Sequence, residues 1–271
     1  MHDKIRLDQF LVQQNLARNR EEAQRLIRAG KVRIEETVYD KPGIKVSSDA
    51  PVRIIQKGSS YASRGGLKLE AALRRFGIDV TGLTAADLGA STGGFTDCLL
   101  RHGAAKVFAV DVGRGQLAYP LQTDPRVVVM DRTNCRYLDT PALDGPVDLV
   151  VVDLSFIGIQ TVFPAIARIL KPAGQAIVLI KPQFEIGKEK VGKKGIVKNP
   201  MDHLDVLLAC RRFFIEAGWA VRGVMPSPIA GKSGNIEFLM WIQPGGAELS
   251  IPPERIQAVV DEAHPKEPDT P

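Results

Sequence analysis

The residues best able to do chemistry are two lysines and two carboxylates that stand next to apolar runs. Asp153 directly follows Val150-Val151-Val152, and Lys181 directly follows Leu179-Ile180. Glu237 lies at the start of the apolar segment 236–241, and Lys68 begins an amphipathic stretch over residues 67–76. A buried ammonium beside a second ammonium gives up its proton more readily than free lysine, whose pKa is about 10.4. Lys181 so placed would serve as a base, with Lys68 as the neighbouring positive charge and Asp153 and Glu237 orienting the two lysines. That set suits removing a proton from a poor nucleophile, such as a ribose hydroxyl, aligned with an electrophilic methyl carbon. The competing reading is a structural ion-pair network and, for Lys68 taken by itself, an ordinary surface charge. No metal-ligand cluster accompanies the four residues, and no metal is expected.

A small-molecule site is expected beside them. The segment Ala86-Asp87-Leu88-Gly89-Ala90-Ser91-Thr92-Gly93-Gly94-Phe95 turns from a strand into a helix. Glycines there let a ligand approach the backbone as it crosses the carboxyl edge of a sheet. Asp111 closes the next strand, where a carboxylate accepts hydrogen bonds from ribose hydroxyls, and Asp131 closes the third, available to an adenine amino group. The dinucleotide fingerprint G-x-G-x-x-G is not met, because Ser91 holds the second glycine position and would crowd a pyrophosphate. A nucleoside ligand without phosphates fits better, and S-adenosylmethionine is the expected one. Its expected set is Asp87, Gly89, Ala90, Ser91, Gly93, Gly94, Phe95, Asp111, Val112, Asp131, Arg132 and Asp153. Alternatives stay open: a tight turn with no ligand, Asp131 as a plain strand-terminating carboxylate, or the nucleophile elbow of a hydrolase. Gly89-Ala90-Ser91-Thr92-Gly93 satisfies G-x-S-x-G, with Asp153 and His203 following in chain order. Against the elbow, it would follow the first strand of its domain, and His203 falls early in an expected helix.

These residues need a sheet to hold them. Strands are expected at residues 85–88, 107–110, 127–130, 149–153, 176–180, 221–225 and 236–241, with helices at 67–76, 95–102, 157–170 and 203–217. The apolar strands suit a sheet covered on both faces, so the fold expected is a doubly wound α/β domain. Its first strand is central, and the carboxyl ends of the fourth and fifth open onto one crevice. Only residues 226–235 join the last two strands, too few for a crossover helix, so those two form an antiparallel edge pair.

The first sixty residues read differently. Leu7, Phe10, Leu11 and Leu16 have helical spacing, and a second helix carries Ala23, Leu26 and Ile27, with Asn19 as its cap and Gly30 as its stop. Short alternating segments at 31–34, 44–46 and 52–55 follow, giving two helices and a small twisted sheet. The units expected are residues 1–58, a linker at 59–64, a main domain at 65–246, and a C-terminal helix and tail at 247–271.

Charge points to a polyanion. The chain carries 36 Lys+Arg against 31 Asp+Glu, and residues 1–60 alone hold 12 basic and 8 acidic residues, while the last 21 hold 2 and 5. The acidic tail therefore masks a basic body. Arg6, Arg18, Arg20, Arg25, Arg28, Lys31 and Lys41 are candidate RNA contacts in the first unit, and Arg64, Lys188 and Lys190 in the second. Lys188 and Lys190 belong to a basic, glycine-punctuated stretch at 187–195, expected to act as a lid. Solvated charge is the alternative for both groups. Cys98, Cys135 and Cys210 are far apart, odd in number and without C-x-x-C spacing, so neither a disulfide framework nor a cysteine zinc site is suggested. No apolar run approaches 18 residues and Met1–Arg6 lacks the apolar stretch of a signal peptide, so a cytoplasmic protein with no membrane partner is expected; a monomer is expected as well.

The whole chain resembles a known family. Residues 6–11, 17–23, 30–32 and 41–43 resemble the RNA-binding domain named after ribosomal protein S-four. Joined to Ser63-Arg64-Gly65-Gly66-Leu67-Lys68-Leu69, the Asp87–Phe95 loop, Asp131-Arg132-Thr133-Asn134, Asp153-Leu154-Ser155-Phe156 and Lys181-Pro182-Gln183-Phe184-Glu185, they resemble the TlyA, or hemolysin A, family. The resemblance spans about residues 4 to 243. It implies a Rossmann-like methyltransferase with a seven-stranded, mostly parallel sheet and an antiparallel last strand, behind a small α+β RNA-binding domain. It implies S-adenosylmethionine-dependent 2′-O-methylation of cytidine in ribosomal RNA of the large subunit, with an FtsJ-like tetrad on Lys68, Asp153, Lys181 and Glu237. Asn19 departs from the usual Ser of the small domain. The expected helix near 252–260 is the kind of terminal extension associated with also modifying the small subunit. Two rival classes remain: an RNA-binding assembly factor without catalysis, and a membrane-lysing toxin, for which no inserting segment is evident.

Overall fold

The computed structural model describes residues 4–14, 16–17, 19–35, 37–48, 50–54, 61–187, 190–192, 195–231 and 233–265. The chain divides into two units between Ser60 and Tyr61. Residues 61–64, expected in the linker, thus belong to the second unit. The reason is packing: the Ala62 N–H donates to Asp97 Oδ2 at 2.8 Å, and the Tyr61 ring lies 5.0 Å from the Arg101 guanidinium.

In the first unit, β1 (Lys4–Arg6) and α1 (Leu7–Gln13) are followed by α2 (Arg20–Arg28), β2 (Val32–Ile34), β3 (Thr37–Tyr39), β4 (Lys45–Ser47) and β5 (Val52–Ile54). Leu7, Phe10 and Leu11 pack with Ala23, Ile27, Val32 and Val46. Asn19 caps α2 by accepting the Glu22 N–H at 2.9 Å, and Gly30 takes the left-handed φ of 63° just past its end. Leu16 lies beyond α1 yet packs on the same core. Instead of one small sheet the described residues form two, β3-β2-β5 and β1-β4. Strands of three residues such as β1 and β3 owe their conformation to their partners and carry too little pattern to be read locally.

The second unit contains α3 (Gly65–Phe76), β6 (Thr84–Leu88), α4 (Gly94–Arg101), β7 (Lys106–Val110), α5 (Tyr119–Gln122), β8 (Val127–Met130), β9 (Val147–Val152) and α6 (Ile159–Ile169). There follow β10 (Leu170–Ile180), α7 (Pro182–Glu185), α8 (Pro200–Glu216), β11 (Trp219–Pro226), β12 (Phe238–Pro244) and α9 (Pro253–Ala263). The sheet order is β11-β12-β10-β9-β6-β7-β8, with β6 central and β12 antiparallel to both neighbours. Successive residues of the inner strands serve opposite faces: Val150 and Val152 join one core with α6 and α8, while Leu149 and Val151 join the other with α3 and α4. The strand β10 begins at Leu170, earlier than its apolar run, because Leu170 pairs with Val147 before an irregularity that ends at Gln175. Ile256, Val259 and Val260 of α9 are buried in the core, so this helix is part of the fold rather than a tail.

Candidate active site

Because β9 and β10 run parallel side by side, Asp153 and Lys181 leave the sheet at one edge. Lys181 Nζ lies 2.6 Å from Asp153 Oδ1 and donates to Ser155 Oγ at 3.2 Å. The antiparallel β12 starts where β10 ends, with Phe238 paired to Ile180, which brings Glu237 to that same edge. Lys68, in the first turns of α3, meets Glu237 there, Nζ to Oε2 2.5 Å. Lys68 and Lys181 are each only 8% exposed and Glu237 3%, a burial that charged groups tolerate when paired. All four line one cavity of about 690 Å³, within the roughly 300–1,000 Å³ typical of small-molecule sites.

The glycine loop forms another wall. Gly89, Ala90, Ser91, Gly94 and Phe95 line the cavity. Gly89 and Gly93 have φ of 91° and 93°, a left-handed backbone that side chains disfavour. A Cβ on Gly89 would come 2.5 Å from the Asp153 carbonyl, and one on Gly93 2.3 Å from Leu121. The glycines are thus demanded by packing within the protein as well as by an open backbone, whereas sequence reasoning supplied only the second reason.

Beyond Ser91, Asp111 accepts the Ser91 N–H at 2.8 Å and the Gly113 N–H at 2.7 Å, and Asp131 accepts the Gly115 N–H at 2.7 Å. Both carboxylates brace the loops at the ends of β7 and β8 and remain half-buried. Val112 is exposed beside them, and Arg132, at a left-handed φ of 53°, donates its N–H to the Gly113 carbonyl at 2.9 Å. Asp87 differs from expectation. It is fully buried and accepts the Thr96 N–H at 2.9 Å and hydroxyl at 2.6 Å, so it anchors the first turn of α4 to β6 and is not among the residues lining the cavity. Burial pushes its carboxyl up to about 7, against the pull of the Thr96 hydrogen bonds.

The hydrolase geometry is absent. The Ser91 hydroxyl bonds Gln116 at 3.4 Å, Asp153 holds Lys181, and the buried His203 ring lies 2.8 Å from His264 Nε2.

Several cavity residues escaped the sequence reading as site residues. Phe156 is 90% exposed at a left-handed φ of 66°, with its ring 5.1 Å from that of Phe184, and both border the cavity. Nothing local in Ser155-Phe156-Ile157 signals that conformation. Asn235 is buried, accepting the Val197 N–H at 2.9 Å and donating to the Gly195 carbonyl at 2.8 Å, which pins the end of the basic segment. An asparagine two residues from Glu237, among glycines, was the available signal. Lys190 turns toward α8, 3.2 Å from Asp202 and 3.5 Å from Asp205. Among the described residues no group of His, Cys, Asp and Glu could hold a metal, and no helix is long and apolar enough to cross a membrane.

Residues 61–243 match the FtsJ-like methyltransferase family, and residues 5–52 match the S4 domain. The chain belongs to the FtsJ-like methyltransferase family. It is 46% identical over 244 residues to the 16S/23S rRNA (cytidine-2′-O)-methyltransferase TlyA of Mycobacterium tuberculosis, covering 90% of this chain and 91% of that one. It is 37% identical to Hemolysin A of Brachyspira hyodysenteriae, covering 87% of this chain and 98% of the other. A solved structure from Streptococcus thermophilus whose description names a hemolysin superposes with a TM-score of 0.74 at 40% identity, covering 97% of both chains.

In this FtsJ-like methyltransferase the S4 domain holds two of the expected RNA contacts on a buried carboxylate. Asp8 accepts from Arg6 Nε at 3.1 Å and Nη2 at 3.0 Å, from Arg20 Nε at 3.1 Å and from Gln24 at 3.0 Å. The Arg6 guanidinium and these further donors hold the Asp8 carboxyl well below the usual carboxylate range. Arg25, Arg28, Lys31 and Lys41 are exposed, as is Arg64, which borders the methyltransferase cavity. Arg18 and Lys188 lie outside the described residues.

Proposed function

We propose that the protein transfers a methyl group from S-adenosylmethionine to the ribose 2′-hydroxyl of a cytidine in ribosomal RNA, with the S4 domain gripping the RNA. The observation that carries this reading is the pair of buried lysine–carboxylate contacts, Lys68 with Glu237 and Lys181 with Asp153, lining one cavity beside the glycine loop. The glycine loop suits the cofactor: its backbone opens onto the cavity, and Asp111 and Asp131, outside the cavity lining, stand half-buried at the neighbouring strand ends where the nucleoside would reach. Bound there, S-adenosylmethionine supplies an electrophilic methyl group on sulfur.

The protein's own work is alignment and proton removal. Asp153 and Ser155 fix Lys181 Nζ at the cavity wall, where as the free amine it takes the proton of the 2′-hydroxyl while the oxygen bonds the methyl carbon and the bond from that carbon to sulfur breaks. Lys68, held by Glu237, faces the same cavity and stabilises the negative charge growing on that oxygen. Phe156 and Phe184 give a nucleobase an aromatic surface at the cavity. A ribosomal RNA substrate puts the protein in the cytoplasm, and the 46% identity to a 16S/23S rRNA (cytidine-2′-O)-methyltransferase supports activity on both subunits. The test is transfer of labelled methyl groups to isolated large and small subunits, followed by mapping of the modified nucleotide. Lys181→Ala lowers the rate about 100-fold or more; full activity in that variant overturns the reading.

A further inference from the structure

Besides the Lys181–Ser155 hydrogen bond, three contacts tie the loop after β9 to the segment after β10. Asp153 meets Lys181 at 2.6 Å, the Phe156 ring meets that of Phe184 at 5.1 Å, and the Ile159 N–H donates to Glu185 Oε1 at 2.8 Å. The first two border the cavity. The third does not, and Glu185 has no place in the chemistry described above.

The helix α6 needs that third contact because its own cap position is Gly158, which has no side chain to accept the first N–H groups. A carboxylate at a helix N-terminus satisfies such a donor and is favoured by the helix dipole. Ser or Asp at 158 would have done this locally. The acceptor instead comes from the last residue of α7, across the gap between two strand ends. A cap from position 158 would stabilise α6 alone, whereas a cap from position 185 also sets where the Asp153 loop stands relative to Lys181.

We propose that Glu185 is a positioning residue for the methyl transfer, holding the Asp153–Ser155–Phe156 loop in register with Lys181 through the N-terminus of α6. The inference rests on the roles proposed above for Asp153 and Lys181. A displacement of reacting groups by about 1 Å costs up to about 100-fold in rate, so losing the tie lowers turnover while leaving the glycine loop and the S4 domain untouched.

The experiment uses the full chain and isolated ribosomal subunits, comparing Glu185→Gln, Glu185→Ala and the double variant Glu185→Ala with Gly158→Ser. Residue 158 has φ of −73° and ψ of 149°, suited to a serine cap, and the nearest atom to a Cβ there is Glu185 Oε2 at 3.2 Å, which the double variant removes. Glu185→Ala lowers kcat about 10-fold to 100-fold with KM for S-adenosylmethionine held within about twofold. Glu185→Gln, which keeps the acceptor oxygen, restores kcat to within about threefold of the parent. The double variant regains the melting temperature but not kcat, and it carries the comparison if Glu185→Ala fails to fold. Recovery of full kcat in the double variant, or no loss in Glu185→Ala, overturns the inference. Full activity in Asp153→Ala or Lys181→Ala instead overturns the reading beneath it, so the two failures are distinct.

Discussion

Lys68 and Glu237 stand 169 residues apart in the chain and form a single buried ion pair, Nζ to Oε2 2.5 Å. Removing one member leaves an unpaired, nearly buried charge, which typically costs up to about 3–5 kcal/mol, whereas replacing both by apolar residues is close to neutral. Lys68→Met and Glu237→Leu alone therefore lower the denaturant midpoint sharply. The double variant recovers most of the loss and remains inactive in methyl transfer. A double variant as unstable as either single one would show that the pair is not the stabilising unit.

Asp87 makes stability depend on pH. Its carboxyl moves from 3.8 to about 7 on folding, so between those values the folded protein holds a proton that the unfolded chain has lost. The stability that Asp87 contributes is full below about pH 4 and declines as pH rises toward 7. Asp87→Asn keeps an acceptor for Thr96 and removes the titration, so the difference in unfolding free energy between pH 5 and pH 8 shrinks by roughly 3 kcal/mol. Chemical denaturation at the two pH values measures it, and an unchanged difference would sink the assignment.

The exposed cations of the S4 domain should act through phosphate. Arg25→Ala, Arg28→Ala and Lys31→Ala each weaken RNA binding across sequences and reduce the salt slope by about 1, while cofactor affinity is unchanged. Asp8→Ala weakens RNA binding as well, although it removes negative charge, because Arg6 and Arg20 lose the carboxylate that orients them. Filter binding at several salt concentrations separates the two effects. Tighter binding by Asp8→Ala would mean that the carboxylate only offsets charge.

Phe156 is too exposed to support the fold, so its substitution reports on substrate. Stacking of a base on an aromatic ring is worth about 1–3 kcal/mol. Phe156→Ala lowers kcat/KM for RNA about 5-fold to 100-fold, with melting temperature and KM for S-adenosylmethionine unchanged. Wild-type kcat/KM would exclude a stacking role.

Much of this protein was legible without a structure. Asp153 and Lys181 were identifiable because each ends an apolar strand, and the carboxyl ends of adjacent parallel strands must share an edge. Glu237 followed from the short 226–235 connection, which forces an antiparallel last strand. The cap at Asn19 and the stop at Gly30 are properties of single residues next to a helix and need no tertiary context. These features depend on local periodicity, chain connectivity and strand geometry, which the order of residues alone determines.

What the tertiary structure decided depends on which distant atoms become neighbours. Asp87 looked like a ligand contact and is sealed against Thr96. Arg6 and Arg20 looked like equivalents of Arg25 and are held on Asp8. The left-handed backbone of Phe156 and the borrowed cap of Glu185 on α6 leave no periodic trace, since both are imposed by loops meeting across the ends of β9 and β10. Spacing fixes the edge of the sheet at which a side chain emerges, and only packing decides whether that side chain faces the cavity, another charge or the core.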